Sequence, residues 1–287
     1  MPSQRIPRAE IIAVGDEMTG GARIDTNTAW LAQRVEELGV TVAFHSTVGD
    51  NLDDHVQVIK IASERADFVV MTGGLGPTRD DLSREAISRV MDRPLKLDQV
   101  SLRHIESMFA VRKRVMPERN DIQAMFPEGS QPIFNPQGTA PGIDVLIGSD
   151  AVKVCRLFAL PGVPAEMKQM FSEHVAPAIA DAMPNRKTIK TAVMKFFGIG
   201  ESDMEARLGE MISRTRSPRV GITVSKATIS LRIQAIADSE DECLSQIEKT
   251  RQEILERAGD LYFGDGENTE QHHAIENILS EREQTVG

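Results

Sequence analysis

The chain has 287 residues and a formal net charge of −10, from 33 Lys and Arg against 43 Asp and Glu. Hydrophobic residues at 40% exclude an intrinsically disordered chain, and the acidic excess argues against a general binder of nucleic acid or anionic membrane, which needs a basic footprint. The length suggests about two domains, and one Trp, one Tyr and ten Phe leave little aromatic surface for stacking bases.

In chain order, residues 9–14 read as a short buried strand that runs into the glycine- and acid-rich loop Gly15-Asp-Glu-Met-Thr-Gly20. Helical spacing over 26–38 places Trp30, Leu31, Val35 and Leu38 on one side, with Gly39 as the stop. A strand over 40–48, a helix over 50–64 and a strand over 67–71 complete a β-α-β-α-β series, which implies a mostly parallel sheet covered on both faces. The spacing then predicts a helix over 80–91 and helix over 97–126, interrupted at Pro117. A loop-rich piece over 126–142 leads to strands over 143–148 and 152–160 and a helix over 164–183. After a boundary at Pro184-Asn-Arg-Lys187 the order is strand 188–197, helix 201–214, strands 219–224 and 227–237, helix 241–258 and a short strand 261–263. That β-α-β-β-α-β order packs two helices on one face of a small sheet. The chain closes in an acidic stretch and a helical pattern over 271–282.

No apolar stretch reaches the ~18 residues needed to span a bilayer, and the first eight residues lack the apolar core of a signal peptide. Cys155 and Cys243 lie far apart in apolar segments and read as reduced, buried residues of a cytoplasmic protein. The six His show no metal-ligand spacing, and His272-His273 reads as a solvated tail. Met108, Met116, Met125, Met167 and Met170 are expected to fill core.

The chemistry is expected in loops that follow strands. Thr72-Gly73-Gly74-Leu75-Gly76-Pro77-Thr78-Arg79-Asp80-Asp81 joins a strand to a helix. Glycines there let backbone approach a ligand, and the helix N-terminus beyond offers N–H groups to an anion. Arg79 would pair with phosphate, and Asp80 and Asp81 would hold a bridging metal ion. The competing reading is a tight turn with acidic helix caps. The loop is neither a P-loop nor a Gly-x-Gly-x-x-Gly fingerprint. Gly15-Asp16-Glu17 and Gly49-Asp50-Asn51 follow other strands, so Asp16, Glu17, Asp50, Asp80 and Asp81 are expected to meet at one sheet edge, joined by Glu166. Taken singly, Asp50 and Asn51 read better as helix caps; several carboxylates beside an anion loop make sense with a divalent cation between them.

Together the segments Ala9-Glu-Ile-Ile-Ala-Val-Gly-Asp-Glu-Met, Asp25-Thr-Asn-Thr, Val48-Gly-Asp-Asn, the glycine loop, Asn135-Pro-Gln-Gly-Thr-Ala-Pro-Gly and Leu160-Pro-Gly-Val-Pro-Ala-Glu-Met resemble the CinA (competence/damage-inducible) family. The resemblance implies a three-layer α/β/α domain of the molybdopterin-binding MogA/MoaB type over 1–184, a KH-like α+β domain over 185–263 and a tail or linker over 264–287. It also implies a cytoplasmic homodimer that hydrolyses ADP-ribose to AMP and ribose 5-phosphate; the composition adds that no membrane partner is expected and that a nucleic-acid partner is disfavoured. The divalent metal would be Mg²⁺, Mn²⁺ or Co²⁺, with K⁺ as a further candidate. On loop position and family pattern, Asp81, Asp50 and Asp16 are the catalytic candidates and Asp16, Asp81 and Glu166 the metal ligands. Gly73, Gly74, Gly76, Arg79, Asn27 and Gly162 would contact substrate. Many members carry a C-terminal amidohydrolase domain, which is expected to be absent because the chain stops at Gly287, about where it would begin. Leu75 stands where MogA-type proteins have Thr, which removes a hydroxyl from the loop and weighs against cofactor adenylylation. A molybdopterin-binding or adenylyl-transfer protein, a non-catalytic nucleotide sensor and, more weakly, an RNA binder are the rival readings.

Overall fold

The computed structural model describes residues 6–149, 153–183, 187–213, 215–225 and 227–281. Lys226, the segment 184–186 and the chain end from 282 lie outside the described residues. The chain divides into two compact units, Met1–Asn185 and Arg186–Gly287.

In the larger unit the elements are β1 (Arg8–Val14), α1 (Asp16–Thr19), α2 (Thr26–Glu37), β2 (Thr41–Val48), α3 (Leu52–Arg65), β3 (Phe68–Thr72), α4 (Ser83–Met91), β4 (Leu95–Leu97), α5 (Gln99–Val111), β5 (Met125–Pro127), β6 (Gln131–Ile133), β7 (Gly142–Ser149), β8 (Lys153–Leu160), α6 (Pro164–Met170) and α7 (Ala176–Asp181). The main sheet runs β2-β1-β3-β8-β7-β6. β2, β1, β3 and β8 are parallel, and β7 and β6 close one edge antiparallel. Strand alternation sends side chains to two apolar layers. Ile12, Val14, Val69, Met71, Leu157 and Ala159 pack with Ile59, Ala62, Ala86 and Ile87 of α3 and α4. Ala9, Ile11, Val70, Phe158 and Leu160 pack with Leu31, Val35, Met167, Phe171 and Ile179 on the opposite face. Both faces are therefore covered by helices, and the four parallel strands end at one edge, where the loops of the site meet.

The smaller unit contains β9 (Thr188–Phe197), α8 (Glu201–Leu208), β10 (Arg219–Ser225), β11 (Thr228–Ala237), α9 (Glu240–Ala258), β12 (Tyr262–Asp265) and α10 (Gln271–Glu281). Its antiparallel sheet runs β10-β11-β9-β12. Ile229, Leu231, Ile233 and Ala235 form one face of β11 and pack against Met204, Leu208, Cys243 and Ile254 from α8 and α9.

Several segments differ from the sequence expectation. Continuous helix over 97–126 gives way to β4, α5, a 3-10 turn over Glu118–Ala124 and β5. Asp98 caps the start of α5 through Ser101 N–H, and Lys113 at φ 52° follows its end. The helix over 201–214 stops at Leu208, because Gly209 takes φ 56°. The helix over 164–183 is broken by a π turn at Phe171–Val175. Met167 and Met170 are buried, whereas Met108, Met116 and Met125 are only half-buried, on the periphery of α5 and the following turns. Both cysteines are free and buried. Among the described residues no helix is long and apolar enough to cross a membrane.

Candidate functional site

A cavity of about 640 Å³ opens where the parallel strands end, within the size range of sites for drug-sized ligands. Four loops build it. One follows β1 and carries Gly15 and Glu17; one follows β2 and carries Asp50; the glycine loop follows β3; and Pro161 to Glu166 follow β8. Asp25 and Asn27 from the start of α2 and Gln123, Thr139 and Ala140 complete the wall.

Asp81 organises the glycine loop. Its Oδ1 accepts the Gly76 N–H at 2.7 Å and its Oδ2 accepts the Thr78 N–H at 2.8 Å and the Thr78 hydroxyl. Ser83 closes the loop behind it, donating through Oγ to the Gly73 carbonyl at 3.0 Å and through its N–H to the Gly74 carbonyl. Two positions require glycine. Gly73 has φ 107° and a Cβ would stand 2.6 Å from the Val14 carbonyl oxygen; Gly74 has φ 67° and a Cβ would strike the Ser83 hydroxyl. The Gly73 N–H donates to the Leu160 carbonyl and the Gly76 N–H to Asp81, so neither is available to phosphate. The N–H groups of Gly74 and Leu75 make no hydrogen bond among the described residues. The Leu75 side chain is buried at 1% exposure, so the missing hydroxyl at this position bears on core packing rather than on the ligand face.

The acidic loops lean on each other. Asp16 Oδ1 accepts the Asp50 N–H at 2.9 Å, and Asp50 Oδ2 accepts the Asp16 N–H at 3.2 Å. Burial, and then the charges of Asp16, Asp80 and Glu17, push the Asp50 carboxyl up, against the Asp16 N–H bond that lowers it. Asn51 caps α3, accepting from Asp53 and Asp54 N–H. His55 donates through Nε2 to the Gly49 carbonyl at 2.8 Å, which fixes the loop from below. Six carboxylates line the cavity (Glu17, Asp25, Asp50, Asp80, Asp81 and Glu166) against one cation, Arg23. An anionic ligand would meet strong repulsion there unless a cation came with it.

Asp50, Asp81, Gly73, Gly74, Gly76, Asn27, Gly162 and Glu166 therefore line one cavity. Asp16 and Arg79 do not. Asp16 is turned to Asp50, and Arg79 is exposed outside the lining. Asn27 is also engaged, donating to the Gly162 carbonyl at 2.9 Å. Among the described residues no three His, Cys, Asp or Glu side chains stand where they could together hold a metal ion, so Asp16, Asp81 and Glu166 do not form a cage. The physical reason is local: Asp81 and Asp16 are spent on backbone N–H groups.

Two residues were outside the sequence expectation. Asn135 is 1% exposed; its amide donates to Glu166 Oε2 at 2.7 Å and to the Ala140 carbonyl, and its Oδ1 accepts the Gln137 and Gly138 N–H groups. Asn before Pro was the readable signal for such a turn. Arg84 is 2% exposed, with Nε and Nη2 unpartnered. Burial lowers it to about 10, opposed by Asp81, so it stays charged at neutral pH.

Comparison with known proteins agrees with this architecture. The family described as "Probable molybdopterin binding domain" matches residues 10–181, and the "Damage-inducible protein CinA KH domain" matches residues 191–264. The chain belongs to the CinA family. A relative named competence-damage inducible protein from Geobacillus sp. strain WCH70 is 36% identical over 97% of this chain, and one from Bacillus subtilis strain 168 is 38% identical over 90%. The chain spans 65% and 61% of the lengths of those two curated relatives. The crystal structure of the CinA protein from Thermoplasma acidophilum superposes with a TM-score of 0.54 at 31% identity, covering 61% of this chain and 98% of that one. The mostly parallel sheet lies in the residues of the first match and the small antiparallel sheet in and around those of the second.

Proposed function

We propose that the cavity of the larger unit binds a nucleoside diphosphate-sugar of the ADP-ribose type and hydrolyses its diphosphate to AMP and ribose 5-phosphate. The observation that carries this reading is the half-exposed Gly74, whose N–H makes no hydrogen bond among the described residues, beside the carboxylate rim of Glu17, Asp50 and Glu166 in a nucleotide-sized cavity. Phosphate would sit on the Gly74 N–H. Water would attack phosphorus as the bridging P–O bond breaks, and the upward-shifted Asp50 carboxylate would accept the proton. A divalent cation fits as one shared with the substrate, held by one or two carboxylates, Glu166 foremost, with phosphate oxygens completing its shell; it would lower the pKa of bound water and neutralise developing charge. Asn135 keeps Glu166 in place for that role.

The test is incubation of purified protein with ADP-ribose and Mg²⁺, Mn²⁺ or Co²⁺, with AMP quantified. Release at least tenfold above that of Asp50→Ala is expected. Release no greater than that variant's overturns the enzyme reading. The description of the matched family favours a second reading, a site that binds a molybdopterin phosphate. Tight pterin binding without ADP-ribose hydrolysis would select it, and ADP-ribose binding without turnover under any metal would select a sensor. We take the working form to be a homodimer, which light scattering of the purified chain checks.

A further inference from the structure

The smaller unit holds a cavity of its own, of about 540 Å³, bounded by the ends of β9, β10 and β11 and by α10. Lys195 of β9 lines it and is only 8% exposed. Its ammonium donates to the Ser230 hydroxyl at 2.9 Å, the residue directly opposite on β11. That is its one hydrogen bond among the described residues, and no described carboxylate lies within ion-pair distance. The two acids in the wall have other partners: Glu267 bonds to Arg232, and Glu270 lies 3.6 Å from His272 Nδ1.

A lysine is rarely buried without a partner, because an ammonium cut off from water needs its charge and its three N–H donors answered. Here one neutral hydroxyl answers one donor. Around it stand further small polar groups, the hydroxyls of Ser225 and Thr228 and the amide of Gln271, which donates to Thr228 Oγ1 at 3.2 Å. The wall offers no Phe, Tyr or Trp as a platform for a base, its one ring being the His272 imidazole, and a single aliphatic side chain, Ile275. One unanswered cation within a ring of hydroxyls suits a compact group with several acceptor oxygens.

We propose that this cavity is a binding site for a small phosphate monoester, its phosphate seated between the Lys195 ammonium and the Ser225, Thr228 and Ser230 hydroxyls. The site is separate from the glycine-loop crevice and does not depend on the activity proposed there. The space accommodates a group of sugar-phosphate size beyond the phosphate itself.

The test is titration of the full, ¹⁵N-labelled chain with inorganic phosphate and with ribose 5-phosphate at constant ionic strength. Saturable amide shifts are expected at Lys195, Thr228, Ser230 and Gln271, with acetate far weaker than phosphate. Affinity should fall at least tenfold in Lys195→Met and several-fold in Thr228→Val. Shifts confined to residues 73–76, or an affinity unchanged in Lys195→Met, overturn the proposal. Should Lys195→Met fail to fold, an unchanged affinity in Thr228→Val overturns it equally.

Discussion

Asp81 acts on the backbone before it acts on any ligand. Its two oxygens hold Gly76 and Thr78, and through them the shape of the loop on which phosphate would rest. Asp81→Ala is therefore expected to cost about 0.5–1.5 kcal/mol of stability, the scale for losing hydrogen bonds in a half-exposed loop. It should also weaken ADP-ribose binding at least tenfold, read by calorimetric titration alongside thermal melts. Asp50 behaves oppositely. Burial and neighbouring acids raise its proton affinity in the folded chain, so its ionisation works against the fold. That cost is present above its raised pKa, eases as pH falls through that value, and vanishes below the ordinary 3.8. Asp50→Asn should thus raise the melting temperature at pH 7 by about 1–2 °C, after discounting for solvent screening, and not at pH 3.5. The site was legible in the sequence as far as spacing could reach. Gly73, Gly74, Asp50 and Asp81 follow strands, and strand ends in a parallel sheet converge. Where each carboxylate points was not legible, because it is decided by N–H groups of distant loops: Asp16 meets the N–H of Asp50, 34 residues away.

Among the elements, β7, β8 and the π turn are joined by one buried acid. Asp144 on β7 is 5% exposed and accepts two bonds from Arg156 of β8, at 2.9 and 2.7 Å, and one from His174 Nε2 at 2.9 Å. Burial alone would raise its pKa, yet the His174 and Arg156 hydrogen bonds outweigh that and hold it below the ordinary carboxylate range. Arg156 also reaches the Ala178 carbonyl, which ties the sheet to α7. The stabilisation from a depressed carboxyl is complete above the unfolded value and is lost as pH falls through the folded one. Asp144→Asn is expected to cost about 1–3 kcal/mol at pH 7, since it leaves the half-buried Arg156 charge without its carboxylate. The cost should shrink below pH 4, which denaturant titrations at the two pH values will show. The π turn adds one residue to the helical register at Phe171–Val175, the segment that carries His174. No periodicity argument over 164–183 foretells it, since the apolar pattern stays intact on both sides. Segment 97–126 misled for a different reason: its helix-forming residues outlast the helix, and Asp98, Lys113 and Pro117 set the true limits.

At the scale of the molecule, net charge and crevice have the same sign. A nucleotide without a divalent ion must approach against that field, which salt screens. Without divalent ions, ADP-ribose affinity should rise about two- to fivefold between 20 and 200 mM KCl, the reverse of a basic phosphate site, and calorimetry at the two salt levels decides it. Chain order and composition sufficed to read two units and the parallel sheet of the first, because the apolar runs of β1 and β3 and the alternation of β11 are local information. The cavity of the smaller unit was invisible, because Lys195 and Gln271 meet only after β9, β11 and α10 have assembled. The larger cavity draws on loops from Gly15 to Glu166, and no contiguous stretch supplies more than one wall. Long loop closures must precede such a surface. On refolding from denaturant, then, competence for the ligand should return no earlier than the slowest phase of core burial, so that a bound nucleotide becomes a clock for the completion of folding.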